Sequence, residues 1–355
     1  MHSGGAGARR QQRHGVDLRL QLRLRQDQRR IPQLIVAAGA QRSVVRVAAG
    51  VLRRADGAVL LAQRPAGKIA AGRWEFPGGK IEAGESPREA LERELAEEIG
   101  VRVQSARPLL CLRHAYTERT VELDTWLVEA WAGQAEGLEN QALAWVQPAE
   151  MESYDVLEAD GPIIDALKLP CALPITADRA DADALLADLL RLAADGHRLI
   201  RLRAPRLSEE AYTALAMQAG PRLHALGSGL LIDRWQGVPA GTAGIAGVHL
   251  TAAVAQRIER SALPGAGWLF ASCHNRAELE RACALGAQAL VIGPVHATAT
   301  HPGAQTLGLD GFAQLAAQAN RPCYGLGGLA VSDAEAVFQR GGQGVAGISA
   351  YQRQR

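Results

Sequence analysis

The sequence predicts an α/β protein of two domains, the second of them a (β/α)8 barrel. The chain has 355 residues, long for a single domain and suited to two. Beyond residue 170, apolar runs of strand length alternate with helix-like stretches, the pattern of parallel strands joined by helical crossovers. Between residues 79 and 101 lies a short acidic helix bounded by glycines, Gly79-Lys80-Ile81-Glu82 at one end and Gly100 at the other.

Hydrophobic content and charged fraction are ordinary for a globular chain. The net charge of +2 calls for no nucleic-acid partner, but it is unevenly spread. Residues 1–42 hold nine arginines against two aspartates, so the remainder carries about five net negative charges. That Arg-, Gln- and Gly-rich segment has no folded pattern and reads as a disordered extension or a product of an upstream start. A transit peptide or a polyanion-binding arm would show the same composition. Five scattered cysteines without a CxxC pair point to free thiols in a reducing cytoplasm. No apolar run reaches the length needed to cross a membrane.

Residues 43–169 form the first predicted domain. Val44–Leu61 reads as two strands around a turn at Ala55-Asp56-Gly57, followed by strands at Leu109–Tyr116, Val121–Trp131 and Ala144–Val146, and a helix at Gly161–Leu167. Between them, Ser86-Pro87-Arg88-Glu89 is a helix start: a side-chain cap, a proline at the first position and a glutamate able to bond back. Gly100 is the stop, and Leu91 and Leu95 face inward one turn apart. Glu94, Glu97 and Glu98 share an arc of about 100° and repel one another unless a cation neutralises them. A solvated helix laced with Glu/Arg pairs would account for the charge alone, but not for Glu85 and the flanking glycines. Hard oxygen ligands beside a glycine backbone suit Mg²⁺ shared with a polyphosphate, with Arg93 pairing Glu85.

The run from Gly79 to Val101 resembles the Nudix box, GX5EX7REUXEEXGU, at every specified position, and Trp74-Glu75-Phe76-Pro77-Gly78-Gly79 resembles the approach to it in MutT-type hydrolases. The resemblance implies an α/β/α sandwich and hydrolysis of a nucleoside triphosphate to the monophosphate and pyrophosphate, with 8-oxo-dGTP as the expected substrate. It further implies that Glu94, Glu97, Glu98 and the Gly79 carbonyl bind Mg²⁺ (or Mn²⁺), supported by Glu85 and Arg93. Glu139 is a candidate further ligand or base, or an exposed loop carboxylate. Arg64, Phe76 and Asp160 align with nucleotide-holding positions. Asp160 replaces the asparagine that reads the oxidised purine, which alters the donor pattern.

Leu169-Pro170-Cys171-Ala172-Leu173-Pro174 marks the connection, with 170–174 as the linker and 172–355 as the barrel. The strand-length runs are Leu173–Thr176, Arg198–Arg203, Gly229–Asp233, Gly247–Leu250, Trp268–Ser272, Ala289–Gly293, Cys323–Gly327 and Gly344–Ser349. In such a barrel the site lies at the strand ends, with phosphate held after strands seven and eight; Gly327, Gly328 and Ser349 fall there.

Gly247-Val248-His249-Leu250, Gly293-Pro294-Val295, Gly327-Gly328 and Ile348-Ser349-Ala350 resemble the thiamine phosphate synthase and TenI family. Against the synthase pattern, Ile232-Asp233 keeps one aspartate of Asn-Asp, and Thr251-Ala252-Ala253-Val254 lacks the second metal aspartate. Arg201-Leu202-Arg203-Ala204-Pro205 keeps the arginine but not the lysine, and His301 stands for the lysine after strand six. TenI-like tautomerase chemistry needs only a phosphate grip and an acid/base, and His274 aligns with its histidine. The barrel is thus expected to take a phosphorylated thiazole or thiamine ligand, with the fused chain hydrolysing or isomerising phosphorylated thiamine intermediates, or to regulate the hydrolase as a binding module.

Overall fold

The computed structural model describes residues 43–117, 119–298, 303 and 305–352. The Arg-rich segment 1–42 and the barrel position His301 lie outside the described residues. Residues 43–355 form one compact unit.

The first domain runs β1 (Ser43–Leu52), β2 (Val59–Gln63), β3 (Trp74–Glu75), β4 (Gly78–Lys80), α1 (Pro87–Ile99), β5 (Arg102–Ala115), β6 (Arg119–Ala132), β7 (Leu143–Val146) and α2 (Gly161–Lys168). One sheet has the order β4-β1-β6-β5, with β1 and β6 parallel and the outer pairs antiparallel; a second has the order β3-β2-β7. Strand alternation sends Ala48 and Leu52 to one face, where Ala90, Leu91, Leu95 and Ile99 of α1 cover them. Ala49 and Val51 face the other way, against Ile163 and Ala166 of α2. The result is a helix on each side of the sheet, as expected. Strand β5 begins seven residues earlier than the apolar pattern predicts. Arg102–Ala106 is polar and partly exposed, and only the ladder to β6 makes it a strand.

Helix α1 has the anticipated ends. Ser86 and Glu89 form a reciprocal capping box, and Gly100 closes the helix at φ 70°, the left-handed region.

The second domain places eight parallel strands, β8 (Ala172–Pro174), β9 (Leu199–Leu202), β10 (Gly229–Ile232), β11 (Ile245–Leu250), β12 (Trp268–Cys273), β13 (Ala289–Ile292), β14 (Cys323–Leu326) and β15 (Gly344–Gly347), in the order β8-β15-β14-β13-β12-β11-β10-β9. The ring closes between its ends through an Ile175–Arg201 bridge, where Thr176 N–H donates to the Arg201 carbonyl at 3.0 Å. Helices α3 (Ala182–Ala194), α4 (Glu209–Ala225), α5 (Ala252–Arg257), α6 (Arg276–Ala284), α7 (Gly308–Ala319) and α8 (Ala334–Phe338) belong to the crossovers. Leu173, Leu199, Leu231, Phe270, Val291 and Tyr324 fill the interior, while their strand neighbours face the helices.

The 170–174 stretch is not a loose linker. It contains β8, the Cys171 carbonyl accepts from Val345 N–H at 3.0 Å, and the Pro170 carbonyl accepts from the Tyr324 hydroxyl at 2.6 Å. All five cysteines are free thiols. No helix among the described residues is long and apolar enough to cross a membrane.

Replacing Ser86 by alanine removes the cap and should lower stability by about 1 kcal/mol in chemical unfolding followed by tryptophan fluorescence.

Candidate functional site

Helix α1 and strand β4 meet at very close range. A Cβ on Gly79 would fall 2.3 Å from the Glu94 carboxylate, and one on Gly78 would fall 2.1 Å from the Ala48 carbonyl oxygen. The missing side chains let two carboxylates reach the strand backbone. Glu94 stands against Gly79, and Glu98 accepts from the Gly78 N–H at 3.0 Å. Both are mostly buried, whereas the Glu97 carboxylate is 62% exposed.

Arg93 ties this cluster together. Its guanidinium makes a two-pronged contact with Glu85, both distances 2.9 Å, and reaches Glu94 at 2.9 Å, Glu97 at 3.4 Å and the Lys80 carbonyl at 3.0 Å. Bonds to Glu85 and then Glu94 hold the arginine firmly protonated, and the same pairing holds the Glu85 carboxyl below its usual range. Burial pushes the Glu98 carboxyl up to about 7, against the pull of the Gly78 N–H and Lys68. Lys68 gave no signal in the sequence: it sits in the loop after β2 and reaches Glu139 at 2.5 Å and Glu98 at 3.9 Å.

A second polar group lies across Lys68, which feels the charges of both Glu98 and Glu75. Arg64 pairs with Glu75 and donates to the Ile69 carbonyl at 2.6 Å. The Phe76 side chain is core, 3% exposed, and its backbone N–H donates to Asp160. Asp160 is 4% exposed, and its Oδ2 has no hydrogen-bond partner. Burial, then the neighbouring Glu75 charge, pushes its carboxyl up to about 8. At the end of β5, His114 feels the charge of Glu158, and Tyr116 those of Asp160 and Glu158, so both lie near this group. Sequence reading passed over both, because a ring at a strand end looks like packing until the fold brings it near Glu158 and Asp160.

In the barrel, Gly327 and Gly328 have φ 101° and 64°, and a Cβ on either would strike Pro294 or His296 of the neighbouring loop. Ser349 opens the turn after β15, and His274 is held by Glu278 through its backbone N–H and its Nδ1, both at 2.8 Å. Period-two alternation along β9 to β12 brings four further side chains together at the strand ends. Arg201 pairs with Asp233 through two bonds of 2.9 Å, His249 Nδ1 lies 3.7 Å from Asp233, and His249 Nε2 lies 3.2 Å from Ser272 Oγ. His249 is fully buried, and burial, then Arg201, holds its pKa well below the usual value.

A thiamine monophosphate synthase family model matches residues 172–351, and a NUDIX domain model matches residues 48–166. A CTP pyrophosphohydrolase of Escherichia coli is 40% identical over 123 residues, 35% of this chain and 90% of that one. An 8-oxo-dGTP diphosphatase of the same organism is 36% identical over 124 residues, 35% of this chain and 96% of its own length. The chain belongs to the Nudix and thiamine monophosphate synthase families. Among solved structures, a thiamine phosphate pyrophosphorylase from Pyrococcus furiosus is 20% identical and covers 50% of this chain and 85% of that one, with a TM-score of 0.42.

The Nudix domain offers oxygen donors for a hard divalent ion. Among the described residues no three carboxylate, imidazole or thiol groups are gathered as a ready-made metal cage. Glu94 and Glu98 lie beside the Gly78–Gly79 backbone, which matches the one or two carboxylates that Mg²⁺ takes when substrate phosphates complete its shell. The barrel differs: Asp233, the remaining synthase-type carboxylate, is paired through both oxygens with the buried Arg201 guanidinium.

Replacing Arg201 by leucine strands Asp233 and should cost about 3 kcal/mol in chemical unfolding, whereas Arg201→Leu with Asp233→Leu should recover most of that loss.

Proposed function

We propose that the Nudix domain is a Mg²⁺- or Mn²⁺-dependent nucleoside triphosphate pyrophosphohydrolase that favours 8-oxo-dGTP. The observation that carries the choice of base is the burial of Asp160, 4% exposed with Oδ2 unpartnered, which pushes its carboxyl up to about 8 and favours the protonated form at neutral pH. A neutral carboxylic acid offers one donor and one acceptor side by side, as an amide does. An 8-oxopurine presents O6 as an acceptor beside an N7–H donor and complements that pair. Unmodified guanine presents two acceptors there. Protonated Asp160 therefore supports the same reading as the asparagine it replaces.

Glu94, Glu97, Glu98 and the Gly79 carbonyl would hold the ion, and a bound divalent ion withdraws charge from the phosphate chain and lowers the pKa of its water. Arg93 orients Glu94 and is itself held by Glu85. Glu139, tethered by Lys68, serves as a further ligand or base. Arg64, braced by Glu75, supplies positive charge at the nucleotide. The relatives named for CTP and for 8-oxo-dGTP support the nucleotide class, and the free thiols support a cytoplasmic setting.

For the barrel, we infer binding of a phosphate ester of the thiazole or thiamine class without a metal ion. The Arg201–Asp233 pair favours this reading, since a guanidinium already neutralises the one remaining synthase-type carboxylate. Gly327, Gly328 and Ser349 would grip the phosphate, and His274, oriented by Glu278, would move the proton.

Purified chain assayed against 8-oxo-dGTP, dGTP and CTP should cleave 8-oxo-dGTP at least 100-fold faster than a Glu97→Gln variant, about the effect of removing one charge-stabilising group. Cleavage of no triphosphate above the level of that variant would overturn the reading. The preference for 8-oxo-dGTP should fall as pH rises through about 8 and should not do so in Asp160→Asn. The folded pKa of Asp160 is raised, so the native state holds a proton that the unfolded chain loses. Stability should therefore decline between about pH 4 and 8, by at most about 1.4 kcal/mol per unit, with a weaker slope in Asp160→Asn.

A further inference from the structure

The barrel meets the Nudix domain at the two elements that frame the base pocket. Gln343, 4% exposed and just ahead of β15, donates from Nε2 to the carbonyls of Ala166 and Leu169 at 2.9 and 3.0 Å. These carbonyls belong to the last turn of α2 and the residue that caps it, and Asp160 immediately precedes the helix's first residue. On the second element, Asn320 ends α7 in the left-handed region at φ 50°. Its side-chain amide accepts from the Arg113 N–H at 2.6 Å and donates to the Arg113 carbonyl at 3.2 Å. Strand β5 is a sheet edge, so the asparagine amide stands in for a missing neighbouring strand. Arg113 directly precedes His114, with Tyr116 two residues on. The Arg107 guanidinium, 4.0 Å over the Phe338 ring, and the bond from Tyr324 to Pro170 complete the seam.

The hydrogen bonds of Arg93, Glu94 and Glu98 described above all stay within the Nudix domain. The seam therefore grips the base side of the site and not the phosphate side.

We propose that the barrel positions the base pocket of the Nudix domain, with Gln343 and Asn320 as positioning residues for base selection. The proposal rests on the reading of Asp160 given above. Helix α2 spans only about 12 Å, and its internal hydrogen bonds make it move as a unit. Asp160 makes no side-chain capping bond to that helix. Asp160 is the N-cap residue of that helix, its carboxylate held also by the Phe76 N–H, and the barrel fixes the helix's far end. Both Escherichia coli relatives are covered over 90% and 96% of their length by the Nudix part alone, so this clamp belongs to the fused chain.

The test uses the full chain. Gln343→Leu and Asn320→Gly, the latter keeping the left-handed backbone, are compared with wild type and Asp160→Asn. The readouts are kcat and KM for 8-oxo-dGTP, dGTP and CTP across pH 6–9, together with thermal unfolding. Gln343→Leu should compress the kcat/KM ratio between the best and poorest nucleotide by about fivefold, the scale of coupling between packed elements, with kcat for the best substrate within about twofold of wild type. The pH at which preference declines should move as well, and Asn320→Gly should act in the same direction. A common factor on all three nucleotides, or an unchanged preference beside a lowered melting temperature, would show the seam to be structural only and overturn the proposal. If Asp160→Asn removes the pH dependence of preference while neither seam variant alters preference, the proposal falls and the base reading stands. If Asp160→Asn leaves that pH dependence unchanged, both fall.

Discussion

The chemistry of the Nudix domain depends on how closely α1 can lie on the strand Gly78–Lys80. At Gly79 the Glu94 carboxylate occupies the space a side chain would take, and at Gly78 the backbone lies against Ala48. This contact collects negative charge around a single short strand. Arg93 carries the compensating charge, reaching Glu85, Glu94 and Glu97 from one guanidinium, which its planar fork of donors allows and a lysine would not. The capping box and Gly100 fix where the helix begins and ends, and so which glutamates face the strand.

The two halves of the chain treat buried charge differently. In the Nudix domain, Glu98 and Asp160 are desolvated carboxylates without a full complement of partners, and burial raises both. Such groups cost stability, are held in place by the rest of the fold and cluster at functional sites. In the barrel, the Arg201–Asp233 pair is internally satisfied, with both charges matched by two hydrogen bonds. A carboxylate neutralised in this way is a poor ligand for an ion, so this strand end has the character of a fixed structural element.

The seam between the domains follows from sheet geometry. An edge strand leaves backbone groups unpaired, and β5 faces the barrel with Arg113 among them. A left-handed asparagine at a helix end is well shaped to fill that gap, because its side-chain amide copies a peptide unit. With Gln343 at the end of α2, the barrel completes two of the first domain's elements.

The local features of the site were legible in the sequence. Residues 86–100 specify the helix, its caps and its buried leucines through contacts no more than one helical turn apart, and alternation beyond residue 170 specifies the eight strands. The spacing of Glu85, Arg93 and Glu94 was enough to pair them. What tertiary structure alone decided are contacts between distant segments. The approach of Lys68 to Glu139, the grouping of His114 and Tyr116 with Asp160, the closure of Arg201 on Asp233 and the grip of Gln343 on Ala166 join residues many positions apart. The early start of β5 belongs with them, since a polar run becomes a strand only when β6 supplies its hydrogen bonds. Periodicity and capping record a residue's own neighbourhood, whereas burial, and with it the raised carboxyl of Asp160, is a property of what the folded chain places around it.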